Sequence, residues 1–127
     1  MSTISRMMTN ICSDRLAESK AFYTKLLNLK VAYDSDWFVQ LASEDSKFEL
    51  GIIDRASEIV PKDFQQLPQG FYLTFVVDDV DAVFEIAQVE NMEIVSEPTD
   101  TFYGQRRLLL KDPNGALVDI SAPMKNF

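Results

Sequence analysis

The sequence contains no histidine, a single cysteine and only four glycines among 127 residues. Without histidine, Ser-His-Asp and Cys-His relays are excluded, and imidazole ligation of a metal with them. Cys12 has no partner for an internal disulfide, and it reads as a small buried hydrophobe rather than a nucleophile. No G-x-S-x-G turn, phosphate-cradling glycine loop or paired-cysteine motif occurs. Long apolar runs are also missing. Those at Phe75–Val77 and Leu108–Leu110 are too short to cross a bilayer, and MSTISRMMTNICSDR at the start has no uninterrupted apolar core of signal-peptide length. A reducing cytoplasm is the expected location.

Basic residues are the other scarcity: twelve Lys and Arg stand against twenty Asp and Glu, a net charge of −8. That excess repels phosphate backbones and anionic lipid, so neither nucleic acid nor membrane is an expected partner. It would attract a cationic ligand, although acidity also serves solubility alone. What is present is globular: 46% hydrophobic and 11% aromatic residues in a chain the size of one domain.

Along the chain, Arg6–Cys12 reads as a strand that ends in a turn at Ser13–Asp14. Leu16–Leu27 reads as an amphipathic helix, with Leu16, Phe22, Leu26 and Leu27 on one face and Ser13 or Asp14 as its N-cap. Three strands follow at Leu29–Tyr33, Trp37–Leu41 and Phe48–Ile53. Ala56–Gly70, with Pro61, Pro68 and Gly70, is a connecting loop with at most a turn or two of helix. Then come a strand at Phe71–Val77 and a helix at Val80–Val89, with Asp78, Asp79 or Asp81 at its N-terminal end. Further strands fall at Met92–Val95, Gln105–Lys111 and, after the DPNG turn at Asp112–Gly115, Ala116–Ser121. The second half repeats the first element for element. Each four-stranded sheet with one helix on its outer face leaves an inner face open, and two such units can close around a cavity where function should lie.

Three stretches then carry a resemblance over nearly the whole chain: LAESKAFYTKLLNLKV at Leu16–Val31, GFYLTFVVDDVDAV at Gly70–Val83 and YGQRRLLLKDPNGALVDI at Tyr103–Ile120. In their order and spacing they resemble the vicinal-oxygen-chelate superfamily of glyoxalases and bleomycin-resistance proteins. Asn28 stands where the family's helix motif ends in glycine, a swap compatible with left-handed backbone. Phe22, Tyr23 and DPNG are assigned to the fold alone. The resemblance implies an α+β fold of two βαβββ modules forming curved half-barrel sheets. It implies one domain over residues 1–127, with modules at about 5–54 and 70–123 joined by a linker at about 55–69.

The resemblance also places the superfamily's metal-ligand positions at Met8 (Met7 if the turn alignment slips by one), Glu49, Tyr72 and Asp119. Both carboxylates survive and both histidine-type positions do not. A thioether and a neutral phenol are poor ligands for the hard and borderline ions such sites hold, so no metal and no other cofactor is expected. Strand alternation sends Glu49 and Asp119 to the face opposite their apolar neighbours Phe48, Leu50, Val118 and Ile120, which should lie under the helices. Around them the expected ligand-binding residues are Met8, Phe38, Gln40, Tyr72, Thr74, Tyr103 and Arg106, with Trp37, Phe75, Phe102 and Arg107 as alternatives or neighbours. Two functions remain open. One is a homodimer that sequesters a small cationic or aromatic compound, similar to the bleomycin-resistance branch. The other is a lyase or isomerase of the glyoxalase type, metal-independent or with atypical ligands, in which Glu49, its pKa raised by apolar neighbours, is the general base.

Overall fold

The computed structural model describes residues 1–125 and divides the chain into two compact units, one up to Pro68 and one from Gln69. Each unit has the same order of elements. The first runs β1 (Thr9–Ser13), α1 (Leu16–Leu27), β2 (Lys30–Asp34), β3 (Phe38–Ala42) and β4 (Glu49–Asp54). The second runs β5 (Tyr72–Val76), α2 (Val80–Val89), β6 (Glu93–Asp100), β7 (Gln105–Lys111) and β8 (Leu117–Pro123). The sheets are open and share one topology, β1-β4-β3-β2 and β5-β8-β7-β6. In each, the first strand pairs parallel to the fourth and the others pair antiparallel. This is the expected α+β arrangement of two βαβββ modules.

α1 packs on β3 and β4. Its Phe22, Tyr23 and Leu26 are buried, as are Ile11, Val39, Leu41, Leu50 and Ile52 on the sheet. The rings of Phe22 and Tyr23 meet edge to face at 4.9 Å, which ties the helix motif to packing. α2 covers β6, β7 and β8, burying Val80, Val83 and Ala87 with Leu108, Leu110, Val118 and Ile120. The helix bounds match the periodicity of the sequence because each helix carries a firm stop or start. α1 ends at Asn28, whose φ of 53° and ψ of 36° are left-handed. α2 starts at Asp79, whose carboxylate accepts from the Ala82 N–H at 3.1 Å.

Several local expectations are corrected. The first strand begins at Thr9 rather than Arg6. The N-cap position of α1 is Arg15, with no side-chain cap bond. Ser13 Oγ instead accepts from the Arg15 N–H at 2.8 Å and meets Ser19 Oγ at 3.2 Å, while Asp14 pairs with Arg55. Phe48, expected under the helix, precedes β4 and is exposed. β6 runs five residues past Val95 to Asp100, with two register irregularities. The connecting segment holds one 3-10 turn at Lys62–Phe64, within the turn or two of helix expected there. The DPNG turn closes on Asp112, whose Oδ1 accepts from the N–H groups of Asn114 and Ala116, both at 2.8 Å, with Gly115 at φ 85°.

Candidate functional site

In each unit one sheet face is covered by its helix and the other carries the polar residues singled out by the sequence. On the first sheet the register sets Phe38 beside Ile53, Gln40 beside Gly51 and Ala42 beside Glu49. Because Leu50 and Ile52 are buried on the helix side, Phe38, Gln40, Glu49 and Gly51 occupy the opposite face. β1 pairs Asn10 with Gly51, and the Asn10 side chain lies across that glycine. Met8, immediately before β1, falls level with Glu49 by the same register.

Glu49 is not free on this face. The Arg6 guanidinium engages both of its oxygens, a bidentate pair, and Gln40 Nε2 donates to Oε1 at 2.8 Å. The pair holds the Glu49 carboxyl below the ordinary glutamate range. The Arg6 hydrogen bond is the largest cause, partial burial opposes it, and Arg6 charge and Gln40 add to it. Arg6 is correspondingly raised by Glu49. The expected upward shift of Glu49 is thus reversed, because a cation rather than apolar side chains is its nearest neighbour.

On the second sheet β5 sets Thr74 beside Asp119, and β7 sets Leu109 beside Asp119 and Arg107 beside Ser121. Tyr72, Thr74, Arg107, Asp119 and Ser121 therefore share the face away from α2. Asp119 is buried, with 5% of its surface exposed. Thr74 donates to its Oδ2 at 3.0 Å and Ser121 to its Oδ1 at 2.5 Å. Arg107 Nε stands 3.4 Å from Oδ1 as an ion pair, and its guanidinium carbon lies 5.7 Å from the centre of the Tyr72 ring.

Arg106, Tyr103, Phe102 and Phe75 do not join these faces. Arg106 pairs with Ala122 in the ladder and points to the α2 side. There it donates to Asp81 and Asp100 at 3.0–3.1 Å, and both acids raise its pKa. Phase alone decides this: the adjacent Arg107 takes the place expected of Arg106. Tyr103 lies in the β6–β7 turn, largely exposed, edge to face with Phe102 at 5.2 Å. Phe75 pairs with Ile120, on the helix side of its sheet. A cleft of about 380 Å³ also lies on that side, at the start of α2, lined by Asp78, Asp81, Asp100, Arg106 and their neighbours. Cys12 is half-buried, with Sγ 3.7 Å from the Phe64 carbonyl oxygen.

Arg6, Asn10, Gly51 and Ser121 are residues the sequence motifs do not single out, and Arg107 enters there only as the alternative to Arg106. A count outward from the DPNG turn identifies Ser121 and selects Arg107 over Arg106: Lys111 opposes Leu117, so Leu109 opposes Asp119 and Arg107 opposes Ser121. Arg6 lies ahead of every motif and leaves no such signal.

The donor set does not fit a resident metal ion. Each carboxylate at a ligand position has a guanidinium of its own unit beside it, the remaining two positions are a thioether and a phenol, and a guanidinium has no lone pair to offer a metal. Among the described residues, no group of three or more His, Cys, Asp and Glu is placed to hold one.

An α+β chain of two identically wound βαβββ modules, each with a polar helix-free sheet face, defines a class, and comparison with known proteins agrees. The chain belongs to the Glyoxalase/Bleomycin resistance protein/Dioxygenase superfamily, whose family model matches residues 4–120. A comparison with curated proteins found no match. Among solved structures, a glyoxalase/bleomycin resistance protein/dioxygenase family enzyme from Burkholderia phytofirmans PsJN is similar at 22% identity and a TM-score of 0.78, over 92% of this chain and 97% of that one. A superfamily member from Sphaerobacter thermophilus DSM 20745 is similar at 14% identity and 0.77, over 94% and 98%. A lactoylglutathione lyase from Agrobacterium tumefaciens is similar at 18% identity and 0.71, over 94% and 95%. At these identities the likeness is one of fold.

Proposed function

We propose that the chain is a non-catalytic member of this superfamily that binds a small, flat organic molecule on the helix-free face of a module's sheet, without a metal. The observation that carries this reading is the pairing of Glu49 with Arg6 and of Asp119 with Arg107. Glu49, held by Arg6, is a weaker base than a free carboxylate, and at both positions a metal must compete with a cation already in place. The same pairing counts against a lyase or isomerase with Glu49 as base, whose pKa would need to rise rather than fall. It also removes the attraction for a cationic ligand at these two positions. The aromatic part of the expectation keeps its support, since Phe38 and half-exposed Tyr72 stand beside the polar groups.

Calorimetric titration of the purified protein with planar aromatic compounds tests the reading. Saturable heat that falls about tenfold in affinity in Tyr72→Ala supports it, such a loss being typical of one stacking contact. Turnover of any glyoxalase-type substrate that Glu49→Gln abolishes overturns it.

The working form we propose is a homodimer, in line with the prevalence of two-fold assemblies. β2 supplies the argument: all five of its residues are exposed, and they form a sheet edge. Light scattering at twice the 14.5 kDa chain mass is the expected result.

A further inference from the structure

The two arginine–carboxylate pairs differ in how completely they are closed. Arg6 spends Nε and Nη2 on both oxygens of Glu49. Arg106 is held by Asp81 and Asp100 together, and Arg55 by Asp14. Arg107 has an ion-pair neighbour but no hydrogen bond among the described residues. Its Nε is buried without an acceptor, at 3.4 Å from Asp119 Oδ1. Asp119 meanwhile is satisfied by neutral donors, since the hydroxyls of Thr74 and Ser121 occupy both of its oxygens.

A guanidinium presents five N–H groups in one plane; the buried Nε faces Asp119, and the terminal Nη groups, which make no hydrogen bond among the described residues, are the donors left for a bound acceptor. The Arg107 guanidinium lies over the Tyr72 ring at 5.7 Å from its centre, a cation–π contact that supports its position. A quarter of the side chain remains open to solvent on the helix-free face. The surroundings thus place a cation between Tyr72 and Asp119, balance its charge from one side, and leave its hydrogen-bonding capacity unused. The acceptor that fits such a fork is a planar anion.

We infer that Arg107 is the anchor for a carboxylate group carried by the flat ligand, with Tyr72 as the surface on which the adjoining ring stacks. This rests on the small-molecule reading above and names the chemical class of ligand within it. Asp119 serves as a positioning residue: its charge keeps the guanidinium in place, and Thr74 and Ser121 keep Asp119 from closing on it.

The test uses the full chain and two probes of the same shape, benzoate and the neutral benzamide, followed by the arginine Nε–Hε signals in proton–nitrogen NMR spectra. The Arg107 signal is assigned by its loss in Arg107→Lys. Benzoate is expected to shift that signal saturably and to bind about tenfold or more tighter than benzamide, the margin of one charge-assisted hydrogen bond. Arg107→Lys, which keeps the charge but loses the fork, is expected to weaken benzoate by a similar factor and leave benzamide unchanged. Equal affinities for the two probes in the wild-type chain, a comparison that needs no variant, overturn the anchor and leave the flat-ligand reading standing. Benzoate binding that moves other arginine signals but not that of Arg107 also overturns the anchor. If neither probe binds, the anchor and the flat-ligand reading fall together.

Discussion

Glu49 and Asp119 each lie on the last strand of their module, at the start of β4 and in the middle of β8, and their surroundings treat them differently. Glu49 is drawn into a bidentate pair with Arg6, and its pKa falls below the ordinary value near 4.5. A carboxyl depressed in the folded state adds stability at pH values above its unfolded pKa, and that contribution is lost as pH falls through the folded value. Arg6→Met is therefore expected to destabilise the chain at neutral pH, and the difference from wild type should shrink below about pH 4.5. Urea denaturation at a neutral and an acidic pH measures it, and a difference that grows in acid would contradict the pairing. A second residue-scale expectation concerns Gly51. A Cβ there would overlap the Asn10 side-chain oxygen and come within 2.9 Å of the Phe38 ring. Gly51→Ala should lower the thermal midpoint, and Asn10→Ala in the same chain should restore part of the loss, since the exposed asparagine is the movable partner.

Elements with a chemical stop or start were legible in the sequence to the residue. Leu16–Leu27 and Val80–Val89 carry helical periodicity bounded by Asn28 and Asp79, and Gln105–Lys111 is held by the turn that follows it. β6 was legible only to Val95. Beyond it Ser96, Glu97, Pro98, Thr99 and Asp100 show no apolar alternation, and pairing to β7 rather than burial makes them a strand. The site faces were legible in the same graded way. Glu49, Gln40, Tyr72, Thr74 and Asp119 follow from motif position and alternation, whereas alternation alone does not choose between Arg106 and Arg107, and Arg6 lies outside any motif. The caps allow direct checks. Asn28→Gly should leave stability nearly unchanged, while Asn28→Ala should cost about 1 kcal/mol, because alanine resists positive φ. Asp79→Ala should cost a similar amount, about 1 kcal/mol, by leaving the Ala82 N–H without its acceptor. Thermal denaturation followed by circular dichroism reads all three.

At the scale of the whole molecule, the chain repeats one module twice and places a carboxylate on the same strand of each, beside an arginine of the same module. The two carboxylates that the resemblance sets at metal-ligand positions thus stand in internal ion pairs, and the net charge of −8 lies elsewhere. A ligand that binds only the folded state raises stability by mass action, so a resident metal would make the thermal midpoint depend on chelator and on added ion. The internal pairs lead to the opposite expectation. Dialysis against a chelator and then addition of manganese, nickel or zinc should leave the midpoint within about 1 °C, well under the shift that even 1 kcal/mol of linked binding produces in a domain of this size. Elemental analysis of the untreated protein should find less than one ion per chain. Tight binding of one ion, abolished by Glu49→Gln or Asp119→Asn, would mean that the guanidinium groups yield to a metal, and the small-molecule reading would give way to metal chemistry.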